Sequence, residues 1–460
     1  MAIPRQRSRR VSASATATEP MRAAPLMLAV YRVVVVGLLP FALIYFLWRS
    51  RREPAYRRHL AERLGRIATR TDRPVWLHAA SVGEVRLAIA LIHGLRERSD
   101  APILLTTMTP TGRETARQAL GETVDIMYLA LDTRAAAKRF VTRMRPRCAI
   151  FIETEIWPNL LETLARAAIP IALVNASVSP RSAARYDSPM LRGLVRYTLQ
   201  GIDLIAAASL ADKTRFETLG ATGTVVQTLG QLKYDLAADD TRDRAGATHG
   251  RQPSTRPVIV AGSTHDDEEA RWLSCFAEIR THHPEAMLVI APRHPQRFDS
   301  VARQLAAGSW RWARFSRHGF DEAADILLVD TLGALGQLYH RADIAFVGGT
   351  LVPGIGGHNV IEPAAAGCVV VTGPYVESWA DVMSPWCRDG RAAIVDDEAA
   401  LVWQVIDWLA DRPGCSALGR ANANQVAEAR GALAASVDAL TVAGFLALDR
   451  PTQSSPTERV

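Results

Sequence analysis

At 460 residues, with 48% hydrophobic and 22% charged side chains, the chain has material for two or three folded domains and is too apolar to be disordered as a whole. Five cysteines, at 148, 275, 368, 387 and 415, are odd in number, widely spaced and without zinc-like pairs, which argues against a disulfide framework and for free buried thiols in a reducing compartment. The net charge of +7 is modest for this length, but basic residues crowd the first seventy positions, so the charge points to a local anionic partner.

Residues 1–25 are Arg, Ser, Ala and Thr without apolar periodicity and are expected to form a disordered extension, as is the tail 451–460. Residues 26–48, LMLAVYRVVVVGLLPFALIYFLW, are nearly continuous apolar sequence interrupted by Arg32 and Pro40. As a helix this segment would just cross a hydrocarbon layer of about 30 Å, with Tyr45 and Trp48 suited to the interface. Arg32 leaves open a helix lying in the interface instead. No small-residue cleavage site comes after it, so a cleaved signal peptide fits poorly. The next residues form an arginine cluster that includes Arg49, Arg51, Arg52, Arg57, Arg58 and Arg63. Nucleic acid is one reading of such a cluster; directly after an apolar segment, an anionic phospholipid surface or a phosphorylated lipid is the better one. Arg57, Arg58 and Arg63 are the candidates for contact with such an acceptor.

From Val75 onward, short buried-strand runs alternate with helical stretches, the pattern of a parallel sheet covered on both faces. Strands are expected at 75–78, 103–107, 125–129, 149–152, 171–174, 204–207 and 224–228, which makes residues 49–236 one Rossmann-like domain. Residues 237–256 are polar and strand-free and read as a linker. The alternation restarts at 258–261 and continues through 287–290, 326–329, 344–347 and 369–372, so 257–450 reads as a second Rossmann-like domain. The expectation is an α/β protein with two doubly wound domains, a ligand cleft between the carboxyl ends of their strands, and an N-terminal membrane-anchoring helix.

Four motifs sit at strand ends. In WLHAASVGEV, residues 76–85, Glu84 falls in the first turn of a helix, where a carboxylate could take a proton from a hydroxyl nucleophile. Ser81 to Glu84 also has the S-x-x-E form of a capping box, so a purely structural cap fits the same residues. In FIETEIWPNL, residues 151–160, Glu153 and Glu155 follow a buried strand beside Trp157; burial would oblige them to meet cations or to handle a proton. AGSTHDDEEA places Ser263, Thr264 and His265 at a strand-to-helix turn with Asp266 and Asp267 as caps, and APRHPQRF presents Arg293, His294 and Arg297 together, fitting a phosphate or a sugar carboxylate.

The richest stretch is FVGGTLVPGIGGHNVIEPAAAGCVVVTGP, residues 346–374. Its glycines let backbone N–H groups approach a ligand phosphate at the start of a short helix. Gly356, Gly357, His358 and Asn359 lie on that approach. Glu362, one turn on, could accept two hydrogen bonds from a ribose diol. A loop that only turns the chain between strands is the alternative. The chain has no D-x-D motif, no phosphate loop of the G-x-x-x-x-G-K-[ST] type and no G-x-S-x-G elbow, which argues against metal-dependent phosphoryl transfer and serine hydrolysis.

Taken together, WLHAASVGEV, TTMTPTGRETA, ETEIWPNL, LGQLKYD, STHDDEE, APRHPQRF, FVGGTLVPGIGGHNVIEPAAAG and the apolar-then-basic start resemble the 3-deoxy-D-manno-octulosonic acid (Kdo) transferases of lipopolysaccharide synthesis, from about Leu26 to about Leu440. The resemblance implies a GT-B fold, CMP-Kdo as donor, a lipid A precursor (lipid IVA) as acceptor, inversion at the anomeric carbon without a metal or other cofactor, and a place at the cytoplasmic face of the inner membrane. It implies that Glu84 is the catalytic base and that Glu153 and Glu155 form an important acidic site. It also implies that Arg293 meets the nucleotide phosphate, that His358 and Asn359 sit at the phosphate-facing helix start, and that Glu362 binds ribose. Lys233, in LKYD, is a further candidate. Three departures stand out: the loop between Val352 and Gly356 is about a residue longer than usual, Ser177 stands where the family usually has arginine, with Arg181 and Arg185 nearby, and the Arg/Ser-rich stretch before Pro25 lies outside the family's core. A GT-B transferase or epimerase using a UDP-sugar, and a non-enzymatic membrane protein that binds glycolipid, are the alternatives.

Overall fold

The computed structural model describes residues 20–51, 56–236, 254–376 and 379–446. Of the segments expected to be irregular, residues 1–19, 237–253 of the linker and the tail 451–460 lie outside the described residues. Two units divide the chain: Met1–Gly230 with Ala434–Val460, and Gln231–Leu433.

Unit 1 starts with helix α1, Pro20–Arg49, which begins six residues before the expected apolar segment. Proline fits a first helical turn, where its missing N–H costs nothing. The unit is built on seven strands, β1 Val75–His78, β2 Ile103–Thr107, β3 Asp125–Tyr128, β4 Cys148–Ile152, β5 Ile171–Ala176, β6 Leu204–Ala207 and β7 Val225–Thr228. They lie in the order β3-β2-β1-β4-β5-β6-β7, and every pairing is parallel. β1 and β4 are buried at every position, as strands covered on both faces must be. Trp76 of β1 lies in the core against Phe140 and Phe151, with ring centroids 5.1 and 5.5 Å away, and its indole N–H donates to Thr106 Oγ1 at 2.8 Å. Loss of such a side chain costs on the order of 3–5 kcal/mol.

Unit 2 repeats the plan with β8 Val258–Thr264, β9 Met287–Pro292, β10 Trp312–Arg314, β11 Ile326–Leu328, β12 Ile344–Val347, β13 Val369–Thr372 and β14 Ala392–Ile394. Their order is β10-β11-β9-β8-β12-β13-β14, again parallel throughout. The edge strands β10 and β14 are three residues each and have no counterpart in the sequence reading; unlike the equally short β11, which is buried at every position, they are only partly buried and lack its unbroken apolar run. β8 extends to Thr264 through an irregularity between Gly262 and Thr264, with Ser263 at φ 56°, so Ser263 and Thr264 belong to the strand and not to the turn after it.

The last helix, Ala432–Val442, belongs to unit 1 from Ala434 on, although the sequence reading gives 257–450 to the second domain. Asp438 pairs with Arg98 at 2.9 Å, and a Cβ at Gly94 would meet Val437. Apolar periodicity marks a helix but does not say which sheet it covers. All five cysteines are free; four are buried and Cys387 is half-buried.

In each unit the strand order reverses beside the first strand: between β1 and β4 in unit 1, and between β8 and β12 in unit 2. Open parallel sheets take ligands outside the carboxyl ends of the strands at such a switch. All the strand-end motifs singled out from the sequence come directly after β1, β4, β8, β9 or β12.

Candidate active site

In unit 1, β1 ends at His78, and Ser81 caps the helix Val82–Arg96 by accepting Glu84 N–H at 3.3 Å. Glu84 returns the contact one residue further back than the usual box. Its Oε2 accepts Ala80 N–H at 2.7 Å and its Oε1 accepts the Ser81 hydroxyl at 2.7 Å. The side chain is therefore a true cap, and it is only 8% exposed. Burial raises its pKa; the hydrogen bonds from Ser81 and Ala80 oppose the rise, and the charge of Glu153 adds to it. Capping and base function are compatible here, because the cap fixes a carboxylate whose environment favours taking up a proton.

β4 delivers the other two carboxylates. Glu153 sits at φ 60°, a left-handed conformation unusual for a side-chain-bearing residue, and its N–H donates to Val174 O at 2.8 Å. The Thr154 hydroxyl donates to Ser177 O, which pins the turn and uses the main chain of the residue where an arginine is usual. Arg181 and Arg185 are both exposed on the next helix, Pro180–Tyr186. Glu155 accepts the Trp157 indole N–H at 2.6 Å and lies 3.8 Å from His78 Nε2. Burial first, then the charges of Glu84 and Glu153, push its pKa up to about 7. His78 is fully buried with Nδ1 2.9 Å from Thr106 Oγ1, and burial drives its pKa down to about 3. The ring is neutral near pH 7, so Glu155 faces an uncharged imidazole and is protonated below about pH 7.

The arginine cluster divides. Arg57 and Arg58 are exposed. Arg63 is fully buried, with its guanidinium 4.6 Å from the Phe46 ring centroid and 4.0 Å from that of Tyr128, and it donates to Met108 O at 2.8 Å. The expectation that Arg63 presents its charge to an acceptor is thus corrected: a flat cation stacked between two rings is a packing element.

In unit 2 the glycine loop after β12 is already partnered by the protein. Glu268, fully buried, accepts the N–H of Gly349 at 2.8 Å, Leu351 at 3.0 Å and Thr350 at 3.1 Å, together with His265 N–H at 2.9 Å. Gly348 N–H goes to Gly262 O, Gly357 N–H to Gly349 O and His358 N–H to Gly348 O. Asn359 Oδ1 accepts Ile361 N–H at 2.9 Å, a turn that leads into the short helix Ile361–Ala365. The amides expected to cradle a phosphate at 348, 349, 357 and 358 are therefore used inside the fold. Gly348 is required for a close approach, since a Cβ there would lie 2.3 Å from Ser263 O. Gly356 and Gly357 occupy φ 81° and 83°, accessible to glycine without strain.

The charged groups around this loop are also sorted. Arg297 is neutralised by Glu269 at 2.7 Å and Asp266 at 2.8 Å, and Glu269 accepts the Thr264 hydroxyl at 2.8 Å as well. Asp267 holds the N-cap position of the helix Glu268–His282 without a side-chain cap bond; Asp266 and Asp267 pair instead with Arg297 and Arg271, and Glu268, in the first turn, accepts His265 N–H. Arg293 is half-buried, its N–H donates to Thr264 O at 2.9 Å, and among the described residues its guanidinium has no carboxylate partner. Beside it, His265 Nε2 lies 2.7 Å from His358 Nε2, with His294 edge-on to the His265 ring at 5.3 Å. Burial lowers the His265 pKa, and the neighbouring His294, Arg293 and Arg297 add to the effect while Glu268 opposes it. The result is a patch of one unneutralised guanidinium and three imidazoles, suited to an anionic ligand.

Glu362 is half-buried, close enough to Gly336 that a Cβ there would come within 3.1 Å of Oε1, and Lys233 lies with its ammonium 5.3 Å from the Trp379 ring centroid. Among the described residues, no group of three or more His, Cys, Asp or Glu could hold a metal ion. The sequence reading did not carry His265, Glu268 or Glu269 into the site. The adjacent glutamates after STHDD were a visible signal, since two carboxylates at a strand end must find buried partners.

Two parallel sheets of this order, each with charged strand-end motifs at a switch point, define a GT-B-type architecture. The solved MurG of Acinetobacter baumannii shares the fold, with a TM-score of 0.50 at 15% identity over 80% of this chain and 99% of that one. The family described as 3-Deoxy-D-manno-octulosonic-acid transferase (kdotransferase) matches residues 58–236. The 3-deoxy-D-manno-octulosonic acid transferase of Bordetella pertussis is 34% identical over 428 residues, spanning 89% of this chain and 98% of that protein. That of Haemophilus influenzae is 33% identical over 410 residues, spanning 87% and 95%. The chain belongs to the 3-deoxy-D-manno-octulosonic acid transferase family.

Proposed function

We propose that this chain transfers Kdo from CMP-Kdo to a lipid A precursor, lipid IVA, in lipopolysaccharide synthesis at the cytoplasmic face of the inner membrane. The observation that carries the reading is the acidic cluster at the switch point of unit 1, in a chain that aligns with a Kdo transferase over nearly all of that protein's length. Glu84 takes the proton of the acceptor hydroxyl as its oxygen attacks the anomeric carbon of Kdo. The bond from that carbon to the CMP phosphate oxygen breaks, CMP leaves with the electron pair, and attack from the opposite face inverts the configuration. Glu155 responds to this event: its pKa is raised in part by the Glu84 charge, so neutralising Glu84 weakens its hold on its own proton.

On unit 2, Arg293, His294 and His358 meet the anionic phosphate and sugar carboxylate, Ser263, Thr264, Gly356, Gly357 and Asn359 shape the same end of the sheet, and Glu362 takes the ribose. Arg57 and Arg58 meet acceptor or lipid phosphates. No metal or cofactor enters the scheme. Incubation of the full chain with CMP-Kdo and lipid IVA tests the reading: free CMP and a lipid heavier by one or more Kdo units are expected by mass spectrometry. Stabilisation by UDP instead of CMP, with no mass gain, would contradict it.

A further inference from the structure

His78 ends β1 with its ring fully buried, and its neighbours dictate which nitrogen carries the hydrogen. Nδ1 lies 2.9 Å from Thr106 Oγ1 and 3.1 Å from Thr106 O. The carbonyl can only accept. The Thr106 hydroxyl donates its hydrogen to Leu77 O at 3.3 Å, and the same oxygen accepts the Trp76 indole N–H at 2.8 Å, so toward His78 it has a lone pair to offer and no proton. Both partners accept from the ring, which assigns the hydrogen to Nδ1 and makes Nε2 of the neutral imidazole a bare lone pair. Nε2 has no hydrogen-bond partner among the described residues. An empty buried acceptor costs about 1–3 kcal/mol, so a group that fills it is worth seeking.

The ring stands edge-on to Phe151, with centroids 5.8 Å apart, and Nε2 lies 3.8 Å from Glu155 Oε2. An ionised Glu155 would turn one lone pair toward another across that gap. A protonated Glu155 has an O–H to give, and a shift of about 1 Å closes the gap to a hydrogen bond. The charges that face Glu155 favour the same form, since Glu84 comes from the helix after β1 and Glu153 from the turn it shares with Glu155, and both are carboxylates. The Trp157 indole N–H, donating to Oε2 at 2.6 Å, pulls the other way. His78 itself, presented from β1, is kept neutral by its burial and does not compete for the proton near pH 7.

We propose that His78 is a positioning residue for Kdo transfer: its Nε2 accepts the Glu155 O–H, holds that carboxyl neutral, and so leaves Glu84 as the ionised member of the two. An ionised Glu155 would set a further negative charge beside the base, against the incoming sugar carboxylate and phosphate. The inference rests on the reaction proposed above and adds to it a residue that acts only through Glu155.

Two substitutions in the full chain test it, because asparagine and glutamine imitate opposite ends of the imidazole. His78→Asn keeps an amide N–H for Thr106 and places nothing at Nε2; His78→Gln reaches further and sets an amide oxygen where Nε2 was. The Glu155 carboxyl is followed by infrared difference spectroscopy between about pH 5.5 and about pH 8.5, either side of its titration, as the protonated C=O band that Glu155→Gln removes. One neutral hydrogen bond is worth about one pH unit, so the band should titrate about one unit lower in His78→Asn and close to the parent in His78→Gln. In the same variants kcat/KM for CMP-Kdo, read as CMP release with lipid IVA, should match the parent for His78→Asn at about pH 5.5 and fall to about a tenth of it by about pH 8, with His78→Gln recovering most of the loss. Equal titration of the band in all three proteins overturns the proposal, as does a loss of kcat/KM by the same factor at every pH, which is what damage to packing alone would give. If the parent releases no CMP while the band behaves as expected, the His78–Glu155 bond stands and the transfer reaction falls, a distinct failure.

Discussion

The carboxylate of Glu268 receives the backbone N–H of Gly349 at 2.8 Å, and with it the amides of the next two residues in the glycine loop. A buried internal anion thus sits where the sequence alone suggested a ligand phosphate, and it ties the end of β8 to the loop after β12. Glu268→Gln keeps one acceptor oxygen but turns an NH2 group toward these donors. The substitution is expected to cost about 2–4 kcal/mol in denaturant unfolding. It should also raise the KM for CMP-Kdo at least tenfold with a smaller change in kcat if, as proposed, the loop shapes donor binding; a purely structural role would lower the amount of active protein and leave KM unchanged.

Arg293 and Arg297 stand four residues apart and do different work. Arg297 neutralises the buried Glu269, so Arg297→Ala strands a carboxylate that is 1% exposed and should destabilise the fold by about 3–5 kcal/mol. Arg293→Ala removes a guanidinium with no internal acid partner among the described residues. It should leave the Tm within a degree or two while abolishing most of the stabilisation by CMP, measured by thermal shift.

Glu155 makes stability depend on pH. Its carboxyl titrates near 4.5 ordinarily and near 7 in the fold. The folded state therefore favours the protonated form: the contribution is fully present below about pH 4.5, declines as pH rises, and is gone above about pH 7. The difference amounts to about 3 kcal/mol. Glu155→Gln, which stays neutral and can still accept from Trp157, should match the parent near pH 4.5 and exceed it in stability by up to that amount at pH 8, as read from urea unfolding at the two values. An unchanged difference between the pH values would show that Glu155 is not held protonated.

Much of this was legible from the chain because buried parallel strands are short apolar runs followed by polar motifs; β1, β4, β8, β9 and β12 stand where such runs occur, Glu153, Glu155 and Arg293 lie just past strand ends, Glu84 in the first turn of the helix after β1, and His358 on the loop after β12. The parts that escaped depend on long-range partners. That Glu268 fills the glycine nest, that Arg63 stacks between Phe46 and Tyr128, and that Arg297 is neutralised while Arg293 is not are facts of which side chains meet across the fold. Spacing within one motif cannot carry them. The capping box around Glu84 was readable; that a cap could also have a raised pKa needed its burial beside Glu153.

The most direct test of the account is turnover of Glu84→Gln. Glutamine can preserve the box, accepting Ala80 N–H while meeting the Ser81 hydroxyl, so helix and fold should persist. It cannot take up the acceptor proton. CMP release from CMP-Kdo in the presence of lipid IVA should fall by about 100- to 10,000-fold, with CMP binding and Tm close to those of the parent. Turnover within a few-fold of the parent, in a folded variant that binds CMP, would contradict Glu84 as the base.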